Sequence, residues 1–302
     1  MDVTGKTIIE PRFSSGLEFL EARAPVLVDK KWRFIDRSGK RAFAGNFGRA
    51  ESFSEGLAAV IAAPRKYGFI DTKGNVVIEA KYRWVESFSE GRALVYMGNR
   101  AGFIDKHGTE VVPLEYDAGH SFSEGLAAVR KGGRWGYVNR QGQLVIPLQS
   151  EQPFTSSFRN GRAPFKVGGL YGFIDATGRV IVEPQFKFTY GFSEDLAAVQ
   201  TFEGCGFIDI SGRFSIGPIF DHAYSFSEGL AAVTVNFKSG EIGTGFIDTY
   251  GSYVIGPDFE WGMRFHDGIC WAETKKTCGY INRSGDWVWQ CPRLETNMRS
   301  KL

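Results

Sequence analysis

The sequence predicts an all-β repeat protein, and three observations carry that reading. The octet FSEGLAAV at 53–60 returns letter for letter at 122–129 and 226–233, with FSEGRALV at 88–95 and FSEDLAAV at 192–199. A second marker, F-I-D or Y-[VI]-N, follows each octet at a nearly constant distance. The 302 residues include 26 Phe, 11 Tyr, 7 Trp and 38 Gly, a makeup that suits short strands and many turns.

The period is set by the Phe that opens each octet: Phe19, Phe53, Phe88, Phe122, Phe158, Phe192, Phe226 and Phe265, with steps of 34, 35, 34, 36, 34, 34 and 39 residues. The second marker ends at Asp36, Asp71, Asp105, Asn139, Asp175, Asp209, Asp248 and Asn282. Eight units follow, at 19–52, 53–87, 88–121, 122–157, 158–191, 192–225, 226–264 and 265–292, and they form one domain. Residues 1–18 read as a partial repeat or cap, because TGKTIIEPRF at 4–13 matches TGRVIVEPQF at 177–186; residues 293–302 are a tail.

Within a unit the elements come in a constant order. LAAV is a first strand, and a polar turn such as RKGGR at 130–134 leads to a second, WGYVN or YGFID. The sequence D-x-x-G then closes a hairpin: the Asp or Asn binds its own backbone, and the Gly takes a positive φ. A third strand, VVIEA or VIVEP, precedes a crossover of about ten residues, as the counting of a repeat unit implies. A three-stranded meander of this size cannot bury both faces alone, so neighbours must stack. Two closures are open. An open β-solenoid or twisted ribbon is favoured, because three strands are lean for a propeller blade and the last unit, GDWVWQCPRL, already has its own third strand. A closed eight-bladed β-propeller is the alternative.

The unit F-S-E-G-L-A-x-V…W-G-[FY]-I-D-x-x-G-x-V-I-x-P resembles the WG β-repeat of bacterial proteins. RWGYVNRQGQLVIP at 134–147 carries it best, and at the motif position, just before F-I-D or Y-[VI]-N, Trp-Gly is intact only at Trp135 and Gly136. Tyr67 and Tyr171 keep an aromatic there, Trp32 is followed by Arg33, and Ala101, Cys205, Thr244 and Cys278 replace the aromatic. The resemblance implies an interaction array with no activity belonging to the repeat.

Composition narrows the function. The net charge of +2, from 36 basic and 34 acidic residues with signs interspersed, is not a footprint for nucleic acid or anionic lipid. No apolar run is long enough for a membrane helix, and MDVTGKTIIEPRF does not read as a secretory signal, so a cytoplasmic location is expected. Cys205, Cys270, Cys278 and Cys291 lack metal-site spacing and read as reduced apolar fillers.

The Ser–Glu pair of the octet invites a catalytic reading, but a pair repeated every 34 or so residues is what turn chemistry produces. The F-I-D aspartate alternates with Asn, which an Asx turn tolerates and a general base does not. His107, His120, His222 and His266 do not converge as metal ligands. No catalytic residue, metal site or cofactor is therefore expected. Departures from the consensus are the better candidates for partner binding. After the octet Gly, Arg23, Arg92 and Arg162 alternate with Leu57, Leu126 and Leu196, either as aliphatic packing or as a ladder for acidic groups. Crossover aromatics form the second set: Trp84 beside Arg83, Tyr190, Tyr224 and Trp261. The last unit, with Trp261, Trp271, Trp287 and Trp289, has the look of a terminal cap. The expected function is a non-enzymatic protein–protein interaction scaffold: an adaptor, accessory subunit or inhibitor. The partner is another protein, and the oligomeric state is open, a monomer included. A carbohydrate or cell-wall binding module is the alternative, and a hydrolase using acidic residues ranks third.

Overall fold

The computed structural model describes residues 7–150, 157–237 and 240–293. Among the described residues the strands fall into eight separate antiparallel sheets, each drawn from one stretch of chain. The chain divides into two compact units, Ile8–Phe158 with Ala176–Gly178, and Arg159–Asp175 with Arg179 onward. The first unit holds the sheets at 15–36, 57–82, 84–116 and 118–150; the second holds those at 162–186, 188–220, 222–259 and 261–292.

The sheets correct the three-stranded unit. Five of them carry a fourth strand taken from the crossover: Trp84–Val85, Ala118–Gly119, Phe188–Ser193, His222–Ala223 and Trp261–Gly262. Each lies at the edge opposite the third strand. Four of the five are only two residues long, too short to show an alternating pattern in the sequence. Hydrogen-bond ladders stop at the edges of each sheet, whereas a solenoid would continue them from repeat to repeat. The open solenoid is accordingly corrected: the sheets are the blades of an eight-bladed β-propeller.

The core lies between successive blades. Leu57 and Ala59 pack with Val85, Phe88 and Val95 of the third blade, while Ala58 and Val60 of the same strand pack with Phe34 and Phe47 of the first. Alternate residues thus serve two interfaces, which is why LAAV is apolar without a break. The octet Phe is the anchor: Phe88 is 2% exposed and meets the Phe69 ring edge-on at 4.9 Å. Phe103–Phe122, Phe173–Phe192 and Phe246–Phe265 repeat the contact.

Ser54-Glu55-Gly56 is a two-residue hairpin turn with Ser54 and Leu57 exchanging backbone hydrogen bonds, Glu55 at φ 53° and Gly56 at φ 89°. Its side chains bind the next repeat. Ser54 Oγ donates to Phe88 O at 2.7 Å, and Gly91 N donates to Glu55 Oε2 at 2.9 Å. Ser89 and Glu90 do the same to Phe122 O (2.7 Å) and Gly125 N (2.8 Å). In the second unit Ser193 and Ser227 reach Phe226 O and Phe265 O, and Glu194 and Glu228 accept from Gly229 N and Gly268 N. A left-handed Glu costs about 1–2 kcal/mol in backbone energy. The charge-assisted bond to the next turn, of about 1.5–3 kcal/mol, offsets it. The Ser–Glu pair is a clasp between blades.

The D-x-x-G turns are Asx turns. Asp71 Oδ1 accepts from Lys73 N at 2.9 Å and Asn75 N at 2.8 Å, and Gly74 closes the hairpin at φ 88°. Asn139 and Asn282 accept the equivalent bonds. The Ser38 and Ser211 hydroxyls hold Asp36 and Asp209 below the usual aspartate range. At Asp71 and Asp105 partial desolvation pulls upward but is outweighed by hydrogen bonds, from Asn75 and Lys73 and from Thr109 and His107. A depressed folded-state pKa contributes stability above the unfolded value, about 3.9, and loses it as pH falls through the folded value. The urea midpoint is therefore expected to hold between about pH 7 and 5 and to drop below about pH 4. Asp71→Asn is expected to match the wild type at neutral pH and to shrink the drop; an unchanged acid profile in that variant would refute the assignment.

Candidate functional site

With the octets committed to clasps, the crossover strands hold the side chains left over. The second blade ends at the buried Tyr82, Arg83 N donates to Tyr96 O at 2.8 Å, and the strand Trp84–Val85 opens the third blade. Alternation sends Val85 into the core at 4% exposure and Trp84 outward at 44%. Trp84 pairs across the strand with Tyr96 and rests edge-on against Tyr67 at 5.7 Å. Arg83 Nη1 donates to Asn99 Oδ1 at 2.6 Å and to Gly98 O at 3.3 Å, in the turn that follows Met97. From the fourth blade Asp117 completes the wall; its carboxylate accepts from Arg100 Nη1 at 2.9 Å and from Gly132 N at 2.8 Å.

Arg83, Trp84, Tyr96, Gly98, Asn99 and Asp117 line a cleft of about 550 Å³. Its two charged groups differ. Asp117 is matched by Arg100, whereas Arg83 is held by neutral acceptors, and among the described residues no carboxylate lies within ion-pair distance of it. An indole face beside an unmatched guanidinium suits an apolar group flanked by a carboxylate.

Trp261 occupies the same place in the eighth blade, 37% exposed and opposite Glu273. The cleft there, about 410 Å³, is also lined by Glu241, Ile242, Glu260, Lys275 and Arg293. Its charges neutralise one another: Lys275 Nζ lies 2.7 Å from Glu241, and Arg293 bridges Glu260 and Glu273. Tyr190, 41% exposed, belongs instead to an aromatic ledge in the second unit, stacked on Tyr224 at 5.9 Å and edge-on to Phe188 at 4.8 Å. Burial pushes its hydroxyl pKa up.

Arg23 and Arg92 lie in the first unit and Arg162 in the second, each half-buried and turned back on the chain. Their Nη1 atoms donate to Ala22 O, Gly91 O and Gly161 O at 3.0–3.1 Å. Arg92 Nε also reaches Arg140 O, and Arg162 Nε reaches Ile210 O, both at 3.3 Å in the turn of the next blade. Among the described residues no group of three or more His, Cys, Asp or Glu is placed to hold a metal, and no helix is long and apolar enough to cross a membrane. Tyr96, Asn99 and Asp117 were not singled out from the sequence. Tyr96 did carry a signal, standing where other repeats have Ile61, Arg130, Gln200 and Thr234.

A profile of the WG containing repeat matches at 1–32, 32–61, 67–100, 102–135, 135–171, 171–201, 206–238 and 245–278. The chain belongs to the WG-repeat family. No curated protein matches this WG-repeat chain. Among solved structures, a eukaryotic initiation factor is similar at 9% identity, covering 95% of this chain and 89% of its own, with a TM-score of 0.65. That likeness concerns the fold alone, and it sets aside the open solenoid over nearly the whole chain. The WD40 beta propeller domain of Doa1 (12% identity, 73% and 92% coverage, TM-score 0.35) and Hsv2 of Kluyveromyces lactis (10%, 91% and 95%, 0.38) are more distant.

Proposed function

We propose that this WG-repeat protein is a non-enzymatic interaction scaffold that binds a segment of another protein in the Trp84 cleft. One observation supports the reading above others: an exposed Trp and a guanidinium without a carboxylate partner converge in a cleft, while the repeated Ser, Glu and Asp side chains are engaged in clasps and turns. Trp and Arg in one pocket are the residue types that dominate interface energetics. The Trp261 cleft and the Tyr190 ledge are secondary contact surfaces.

The test places a photoreactive phenylalanine analogue at position 84, and separately at the exposed Tyr250 position, in the full chain in its native host. Position 84 is expected to give a discrete protein adduct that position 250 does not, and adding Arg83→Glu removes it. Trp84→Ala is expected to weaken binding of the recovered partner by about tenfold or more. Identical adducts at both positions would reject the cleft, and retention of glycans alone would move the reading to carbohydrate.

A further inference from the structure

Two of the four cysteines depart from the role of apolar filler. Cys205 and Cys270 are buried, their sulfurs against Asp221 O and Trp271 O, and burial raises the Cys270 thiol pKa to about 11. Cys278 and Cys291 are half-exposed and face each other across adjacent strands of the eighth blade, with Sγ atoms 3.1 Å apart. Cys291 lies on the edge strand Trp287–Pro292, and the partial exposure of both cysteines leaves the pair within reach of a small reagent.

The repeat makes the pairing specific. Cys278 stands at the position of the WG tryptophan, and the register gives each such residue one partner on the third strand. In five other blades that partner is a buried aromatic ring: Tyr67 faces Tyr82, Ala101 faces Tyr116, Tyr171 faces Phe186, Cys205 faces Phe220 and Thr244 faces Phe259. The eighth blade departs at both ends of the same pair and places Cys opposite Cys. Cys205 has the same position but no sulfur across from it. The hydrogen bond between the two sulfurs raises the Cys278 pKa.

We propose that Cys278 and Cys291 are a reversible dithiol–disulfide site that reacts with low-molecular-weight disulfides of the glutathione class. The Cys291 thiolate attacks one sulfur of the disulfide and expels one thiolate, forming a mixed disulfide. The Cys278 thiolate then attacks Cys291 Sγ, forming the Cys278–Cys291 bond and expelling the second thiolate. Two protein thiols are oxidised by two electrons, one small-molecule disulfide is reduced to two thiols, and the protons lost by the cysteines pass to those products. The bond ties the edge strand to its neighbour two residues before Arg293, whose guanidinium bridges Glu260 and Glu273 at the Trp261 cleft.

The test equilibrates the full-length protein in buffers of varied reduced and oxidised glutathione, then quenches by alkylation and maps peptides by mass spectrometry. Cys278 and Cys291 are expected to lose alkylation together, at one midpoint, and to appear as one cross-linked peptide while Cys205 and Cys270 stay alkylatable after unfolding. In Cys278→Ser, Cys291 is expected to accumulate as its glutathione adduct, about tenfold above the wild type in the same buffer. Full alkylation of both cysteines in oxidised glutathione overturns the proposal. So do stable glutathione adducts on each cysteine of the wild type without the cross-link. Because the decisive reading is on the wild type, a variant that folds poorly does not obscure it.

Discussion

Gly68→Ala is expected to destabilise the protein by about 3 kcal/mol or more, and Gly217→Ala to leave it within about 0.5 kcal/mol of wild type. A Cβ at Gly68 would stand 2.5 Å from Ile78 O, 2.8 Å from Ala80 N and 3.0 Å from Ala80 Cα. These are backbone atoms, held by ladder bonds, so no side chain can rotate to make room. The contact arises from a bulge in the third strand, where the pairing slips between Tyr67 and Phe69. The second strand is bonded on both edges and cannot move away. Gly102, Gly136, Gly172, Gly206, Gly245 and Gly279 meet a carbonyl oxygen of the neighbouring strand at 2.1–2.7 Å in the same way. Gly217, by contrast, has open space. Urea unfolding of the two variants checks the difference. The geometry also explains why Gly persists while the preceding Trp drifts to Ala101, Cys205 or Thr244: the close neighbouring backbone demands the one, while the other only packs. In the first blade Arg33 replaces this Gly, and there the third strand is reduced to the isolated bridges Ile35–Arg41 and Trp32–Phe47.

Glu90→Ala is expected to cost about 2 kcal/mol, the second largest effect. The carboxylate accepts Gly125 N at 2.8 Å and Arg140 Nε and Nη2 at 2.9 and 2.8 Å. Arg140 is half exposed, so most of the loss comes from the orphaned amide rather than the ion pair. The left-handed φ of 54° stays in the variant, now with nothing to offset it. Glu90→Gln keeps an acceptor oxygen and is expected to lose about half as much. Paired urea curves read both values. Equal losses for Ala and Gln would place the energy in the charge with Arg140 instead of the clasp.

The period, the strands LAAV and F-I-D, and the Asx turns were legible in the sequence because each repeats eight times with its own local chemistry. The octet's structural role was legible for the same reason, although its mechanism was not: Ser54 and Glu55 act on Phe88 and Gly91, in the next copy of the motif. The fourth strand escaped notice because Trp84–Val85 or His222–Ala223 has too few residues to alternate. That omission made the blade look lean and favoured a solenoid. Trp84 and Arg83 stood out as departures from the consensus, but the cleft also needs Asn99 from a turn and Asp117 from the next blade, a convergence set by register. The Cys278–Cys291 pair is likewise a matter of register, its members standing 13 positions apart in sequence.

The repeated Ser–Glu pair joins each repeat to the next and so builds the protein. Amide hydrogen exchange at Gly125 tests it most directly. This amide sits in a surface turn, where only the Glu90 carboxylate of the preceding repeat accounts for protection. The expected result is slow exchange in the wild type, an acceleration of about tenfold or more in Glu90→Ala, and an unchanged rate at Gly229, which is served by Glu194. Exchange at Gly125 as fast as in an unstructured peptide, with no response to Glu90→Ala, would contradict it.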